Sequence, residues 1–280
     1  MHAQTKKKRI TGKILTLILL TLIMVLMVFP FVVIITNSFK TAPDFAKNGP
    51  LTLPQPWSLQ AIITFWTRVN YGQKLWNSFS ISFSVAILAV LLSLLNSFAL
   101  GIGKIKGTVG FLIVFVIANT LPQEVLVYPL YYMAKLVGLY DHQLSVIIIF
   151  TVIQSAFGTY LLSSAFQAFP RQLLEAATVD GCSKRQLLVK IVAPVSSSTL
   201  SVLFVFFFLW TWNEFFIPLV MLVSNAHQTV PIAISVTQGQ HNMDMTAASA
   251  SAFLGILPCI IFFVLFQRTL TKGITAGAIK

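Results

Sequence analysis

The sequence predicts an all-α, polytopic membrane protein with six transmembrane helices and both termini on the cytoplasmic side. Three observations carry this expectation. The chain is 56% hydrophobic and only 9% charged, whereas a soluble domain has about 25% charged residues. Several apolar runs reach the length of about 20 residues that a bilayer crossing needs. Finally, fourteen of the nineteen Lys and Arg residues fall in the N-terminus, the C-terminus and two alternate connections, and five in the others. That asymmetry orients the chain by the positive-inside rule.

Residues 1–13 are polar and basic, and Ile14 to about Ile35 form the first apolar run. The run is longer than a signal-peptide core and no small-residue cleavage pattern follows it, so it reads as a first span. Residues 36–74 hold Pro43, Pro50, Pro54 and Pro56 and read as an irregular external loop. Trp57, Trp66, Tyr71 and Trp76 suit a membrane interface. The second span runs from about Leu75 to Leu100, and Lys104 and Lys106 mark the short internal turn after it. The third, from about Thr108 to Met133, contains Pro122 and Pro129 and is expected to kink. The fourth runs from about Gln143 to Ala165, the fifth from about Pro194 to Val223 and the sixth from about Thr246 to Phe266. The external loop Ser224–Met245 has no Lys or Arg.

The net charge of +12 does not imply a nucleic-acid partner, because the cations sit in short loops rather than in a stripe interleaved with aromatics. Cys182 and Cys259 supply no disulfide framework and no metal set. No G-x-x-x-x-G-K-[ST], H-E-x-x-H or G-x-S-x-G string occurs, so no catalytic residue, cofactor or metal is expected.

The longest polar interruption in the C-terminal half is Phe169–Pro194, FPRQLLEAATVDGCSKRQLLVKIVAP. Pro170 suits a helix start, and Arg171 to Val179 follow without a breaker. Leu173, Leu174 and Ala177 can share a face. Asp180-Gly181 reads as a stop and turn, with Gly181 suited to a left-handed position. Ser183 and Gln186 have the spacing of a capping box, which opens a second helix over Lys184–Val192, and Pro194 can open a third.

The string Glu175-Ala176-Ala177, then Asp180-Gly181, then Ile191 and Pro194 closely resembles the EAA loop of ABC-importer permeases. Val137-Gly138-Leu139, Trp212-Asn213-Glu214-Phe215 with Pro218-Leu219, and the tail from Gln267-Arg268 to Gly277-Ala278 resemble the carbohydrate branch, in particular the second membrane subunit of maltose-type importers. The resemblance implies a MetI-like permease core over residues 71–267, with an N-terminal addition over 1–70 and a cytoplasmic tail over 268–280. It implies that Glu175, Ala176, Ala177, Asp180 and Gly181 form a coupling helix docked on a cytoplasmic ATPase. It further implies a second, similar permease subunit, two ATP-binding cassette subunits, an extracytoplasmic solute-binding protein and a carbohydrate cargo in the bacterial inner membrane. In that family the outer loop reaches the binding protein, which assigns Gln238, Gly239 and Gln240 to that contact, and the tail touches the ATPase dimer.

Glu124 and Glu214 are the only carboxylates within the expected spans, about 16 and 20 residues in from the internal side. Ionisable groups there face a bundle interior or water. With Asn119, Gln123, Gln154, Trp212 and Asn213, and with Tyr128 and Trp210 nearby, they can line a sugar path. The same residues serve equally well as interhelical hydrogen-bond partners or interface anchors. His227 and His241 lack metal-ligand spacing and read as solvated. An ion-coupled secondary transporter would also explain six spans and two buried carboxylates, but it leaves Phe169–Pro194 unexplained. A polyol or glycerol phosphate cargo stays open; a phosphate would want Lys or Arg in mid-span, and none is there.

Overall fold

The computed structural model describes the backbone of residues 2–103, 105–167, 169–237 and 244–278, and the side chains of 12–103, 105–167, 169–236 and 244–268. In order the helices are α1 (His2–Ser38), α2 (Ala42–Asn48), α3 (Gln60–Arg68), α4 (Tyr71–Ser97), α5 (Thr108–Thr120), α6 (Gln123–Leu136), α7 (Gln143–Gln167), α8 (Arg171–Val179), α9 (Lys184–Leu187), α10 (Ala193–Val195), α11 (Ser197–Asn213), α12 (Phe216–Met221), α13 (Val230–Thr237) and α14 (Met245–Ala278). The described residues contain no strand. They form two compact units, Met1–Val69 with Ile234–Leu257, and Asn70–Ala233 with Pro258–Lys280.

In the first unit, Gly12–Ser38 of α1 and Met245–Arg268, which continues beyond the unit, are long and apolar enough to cross a bilayer. Residues 36–74, expected as irregular, instead contain α2 and α3. The reason is local capping. Thr41 Oγ1 accepts the amide of Asp44 at 3.3 Å, and Pro43 occupies the first turn, where its missing N–H costs nothing. Asp44 then accepts from Asn48 Nδ2 at 2.7 Å and from the Gln55 amide at 3.1 Å. Lys40, counted from sequence as a loop charge, is fully buried, its amine on Gly49 O at 2.6 Å.

The second unit is built on α4 against α7 and α11. The buried positions of α4, among them Tyr71, Ser78, Val85, Ala89, Ser93 and Ser97, recur every three or four residues and mark one stripe. Apolar burial does not drive helices together in lipid; close approach of small side chains and interhelical hydrogen bonds do. Ser93 Oγ donates to Ala89 O at 2.6 Å and reaches Ser155 O at 3.3 Å, and Ser97 Oγ donates to Thr159 O at 3.1 Å. Gly158 is needed at the crossing, because a Cβ there would come within 2.2 Å of Ser93 Oγ. On the α11 side, Phe208 stacks on Phe262 with ring centroids 4.0 Å apart.

Among the described residues, four helices are each long and apolar enough to cross a bilayer, and two bent pairs pass the same test together. The bend expected in the third apolar stretch is a full break, with α5 and α6 meeting at 98°. The break falls at Leu121, whose ψ of 127° is what a residue before proline adopts. The fifth is not continuous from Pro194 to Val223. Lys184–Val195 and Ser197–Asn213 meet at 77° around Ser196, in a serine run that competes with helical hydrogen bonding, and the chain leaves helix again at Glu214. The loop Ser224–Met245 carries a 3₁₀ turn at Asn225–His227 and then α13.

Candidate functional site

Phe169–Pro194 folds as an elbow. Pro170 is the N-cap of α8, and Asp180 its C-cap. Gly181 follows at φ +74°, its amide on Thr178 O at 3.1 Å, and the amide of Cys182 reaches Ala177 O at 3.0 Å. This is a Schellman ending, with the left-handed residue where glycine is favoured. Nothing lies within 4 Å of a Cβ built on Gly181, so backbone conformation alone calls for glycine there. The capping box is present: Ser183 Oγ accepts from the Gln186 amide at 3.3 Å, and Gln186 Oε1 from the Ser183 amide at 2.8 Å. The second helix does not continue to Val192. It passes into a π turn, Leu188–Val192, and α4 likewise ends in a π turn, Phe98–Ile102.

The α8 helix presents distinct faces. Arg171, Leu174, Glu175 and Thr178 line an open cleft of about 940 Å³ together with Phe98, Leu100, Ile102, Phe166, Phe169 and Leu187. Ala177 is buried. Leu173, Ala176 and Val179 lie off the cleft and are exposed, Val179 by 87%. Leu173 therefore does not share the packed face of Leu174 and Ala177. Asp180 and Gly181 are exposed at the elbow's tip.

The expected path residues separate into two groups. Gln154 is fully buried and donates from Nε2 to Thr211 Oγ1 at 2.8 Å. Trp212 is buried and stacks on Phe208 at 5.8 Å. The Gln154 bond ties α7 to α11, while Trp212 packs along its own helix. Asn119 turns back on its own helix, Nδ2 to Phe115 O at 2.8 Å. Gln123 is half-buried and Glu124 exposed in the first turn of α6.

Asn213 and Glu214 do share a space. With Phe206, Leu209 and Trp210 they line a cavity of about 480 Å³. Asn213 Nδ2 donates to Leu209 O at 2.7 Å, and Glu214 Oε1 accepts the amide of Phe216 at 3.3 Å, bridging the gap between α11 and α12. Phe206 and Trp210 meet edge to face at 5.8 Å, and Phe157 stacks on Phe206 at 5.8 Å. The arrangement offers aromatic faces beside an amide and a carboxylate, the chemistry that grips a sugar's C–H faces and hydroxyls. Phe206 was not singled out in the sequence; its only signal was the i, i+4 spacing to Trp210.

The end of this unit away from the elbow holds polar residues whose pairing the sequence did not flag. Lys74 is fully buried and donates to Asn225 O and, at 2.8 Å, to Asn225 Oδ1. Asn77 Nδ2 donates to Ala226 O at 2.7 Å and Gln228 O at 2.9 Å. Asp141 accepts from the Ser224 amide at 2.9 Å and from Ser224 Oγ, with His227 Nδ1 3.4 Å away. Burial pushes the Asp141 carboxyl up, but the bonds from Ser224 and the nearby His227 outweigh it and hold the group below its ordinary value. His227 is thus part of a latch rather than a free solvated ring. Gln238, Gly239 and Gln240, and His241, lie outside the described residues. Among the described residues, no three His, Cys, Asp or Glu side chains converge as metal ligands would.

A family model described as "Binding-protein-dependent transport system inner membrane component" matches residues 8–276. The chain is 27% identical to the inner membrane ABC transporter permease protein YcjP of Escherichia coli, with 93% of this chain and 94% of that protein covered. It is 28% identical to the sulfoquinovosyl glycerol transport system permease protein SmoH of Agrobacterium fabrum, covering 96% and 95%. It is 29% identical to the arabinooligosaccharides transport system permease protein AraQ of Halalkalibacterium halodurans, covering 98% and 99%. Among solved structures, a chain of a bacterial ABC transporter involved in the import of the acidic polysaccharide alginate superposes with a TM-score of 0.76 at 21% identity, over 93% of this chain and 96% of that one.

Proposed function

Because the chain belongs to the family of binding-protein-dependent transport system inner membrane components, we propose that it is a permease subunit of an ATP-driven ABC importer for a sugar or oligosaccharide. It spans the bacterial cytoplasmic membrane six times with both termini inside, each bent pair counting as one span. A second, similar permease, two ATPase subunits and an extracytoplasmic binding protein complete the machine. The chain carries out no chemistry of its own; ATP is hydrolysed by its partners.

The observation that carries this reading is the elbow. A helix that must pass force needs rigid ends. Here a Schellman turn and a capping box fix both sides of the Gly181 corner, and α7 and α11 flank the elbow directly. Closure of the ATPase pair moves the elbow, and the elbow moves those helices as a body. Ala176 and Asp180, with Leu173 and Val179 beside them, form the surface offered to the ATPase. Glu175 faces the cleft behind, and Ala177 and Gly181 hold the shape.

The cargo path passes the cavity beside Trp210, Asn213 and Glu214, with Glu124 and Gln123 at its margin. No Lys or Arg lines that cavity. A neutral sugar fits this lining better than a uronate or a phosphate, which Glu214 would repel. Gln238–Gln240 contact the binding protein.

Reconstitution in proteoliposomes with the partner permease, the ATPase and the loaded binding protein tests the proposal. Sugar uptake should require ATP at the ATPase side and stop with vanadate. Uptake that survives removal of the ATPase, or that follows an ion gradient, would refute it.

A further inference from the structure

We propose that the cleft under α8 is a binding site for an anionic glycerophospholipid of the cytoplasmic leaflet, a proposal that rests on the orientation given above. The cleft lies where the spans end. Its walls are the terminal π turn of α4, the first residue of α5, and Phe166 and Gln167 at the end of α7. That is the depth of lipid headgroups. Its lining is divided in the way an amphiphile is. Phe98, Ile102, Phe166 and Leu174 give an apolar floor, while Arg171 and Lys184 bring cations to the same space.

Neither cation has an ion pair among the described residues, although Glu175 lines the same cleft one helical turn from Arg171. A phosphodiester between Arg171 and Lys184 supplies the missing partner. Glu175 opposes an anion, and it also accepts hydrogen bonds from a glycerol headgroup's hydroxyls, as Thr178 Oγ1 does. With two cations and one carboxylate, the lining matches a lipid of single negative charge better than a zwitterion. The surroundings reinforce the sign: among the described residues, 98–103, 105–108 and 169–194 carry five Lys or Arg against two carboxylates. Anionic lipid is attracted to such clusters at the cytoplasmic surface. The ATPase is the less fitting occupant, since the exposed apolar residues Leu173 and Val179 lie off the cleft. A lipid seated there fills the space between the elbow and the span ends and so stiffens the route by which movement passes.

Cys182 lines the cleft and is half-buried, which provides a reporter. The assembled transporter, with Cys259→Ala and cysteine-free partners, is labelled with bimane at Cys182 and placed in nanodiscs. Phosphatidylglycerol or phosphatidylcholine, spin-labelled high on an acyl chain, is then added at equal mole fraction. Quenching by phosphatidylglycerol should exceed that by phosphatidylcholine by about twofold or more, because the site concentrates anionic lipid. The excess should vanish in Arg171→Gln/Lys184→Gln, and total quenching should fall in Thr178→Phe, which fills the cleft without removing a cation and does not itself quench bimane. Equal quenching by both lipids, no quenching, or an unchanged excess in both variants overturns the proposal. Co-purification of the ATPase is scored on the same sample. If the ATPase is retained and quenching does not discriminate, only the lipid site falls; if the ATPase is absent, the importer reading falls as well.

Discussion

The amide of Cys182 donates to the carbonyl of Ala177 across 3.0 Å, and that bond closes the corner joining α8 to α9. It forms only because Gly181, between them, takes φ +74°. An alanine there meets no neighbour but strains the backbone by about 1–2 kcal/mol. A proline cannot adopt the angle and removes the amide that bonds Thr178. Gly181→Ala is therefore expected to retain most transport. Gly181→Pro should assemble with its partners and yet lose the ATP hydrolysis stimulated by loaded binding protein. Assays of ATPase activity on purified complexes check both.

Gly158 and Ser93 meet where α7 crosses α4 closely. A Cβ on Gly158 would meet Ser93 Oγ at 2.2 Å and Ser93 Cβ and Phe207 Cζ at 2.9 Å. Gly158→Ala should lower the thermal midpoint in detergent, in line with an overpacking penalty of about 1–3 kcal/mol. Adding Ser93→Gly removes two of the three obstructing atoms, and the double variant should recover part of the loss.

Gln154 and Thr211 test which residues pack and which conduct. Gln154 is fully buried; its Nε2 donates to Thr211 Oγ1 at 2.8 Å, and its Oε1 has no hydrogen-bond partner. Thr211→Val strands the remaining amide, an orphaned buried group worth about 1–3 kcal/mol. Gln154→Leu removes the polar group altogether. Thermal unfolding should show Thr211→Val as the more damaging, with uptake by Gln154→Leu near normal. Glu214→Gln should lower uptake with little change in stability, if its role is at the cavity.

Asp141 sets the pH behaviour of the latch that it forms with Ser224 and His227. Its folded carboxyl titrates below the ordinary aspartate value of 3.8. A depressed carboxyl stabilises the fold fully above that ordinary value, and the contribution disappears as pH falls through the lower folded one. The difference in thermal midpoint between the native chain and Asp141→Asn should be constant from neutral pH down to about 5 and shrink below about 4.

The elbow was legible in the sequence because its signals are local. Asp180-Gly181 and Ser183 with Gln186 each specify bonds only three to five residues long. The bends were legible only in part. Pro122 announces a break but not its 98° angle, and nothing local marks the 77° bend at Ser196 beyond a serine run. The π turns at Phe98–Ile102 and Leu188–Val192 leave no mark in composition. The cavity was half legible. Trp210 and Trp212 are neighbours in sequence yet about 200° apart around a helix, so one lines the cavity and the other stacks inward on Phe208. Residues 36–74 show the reverse error: their prolines suggested irregular chain, but Pro43 starts a helix.

The central claim is that α8 meets the ATPase with one face and the cleft with another. A photo-crosslinking amino acid placed at Ala176, and separately at Thr178, in the assembled transporter tests it directly. The account predicts a covalent adduct with the ATPase from Ala176 and little from Thr178. No adduct from Ala176, or equal adducts from both positions, would contradict it.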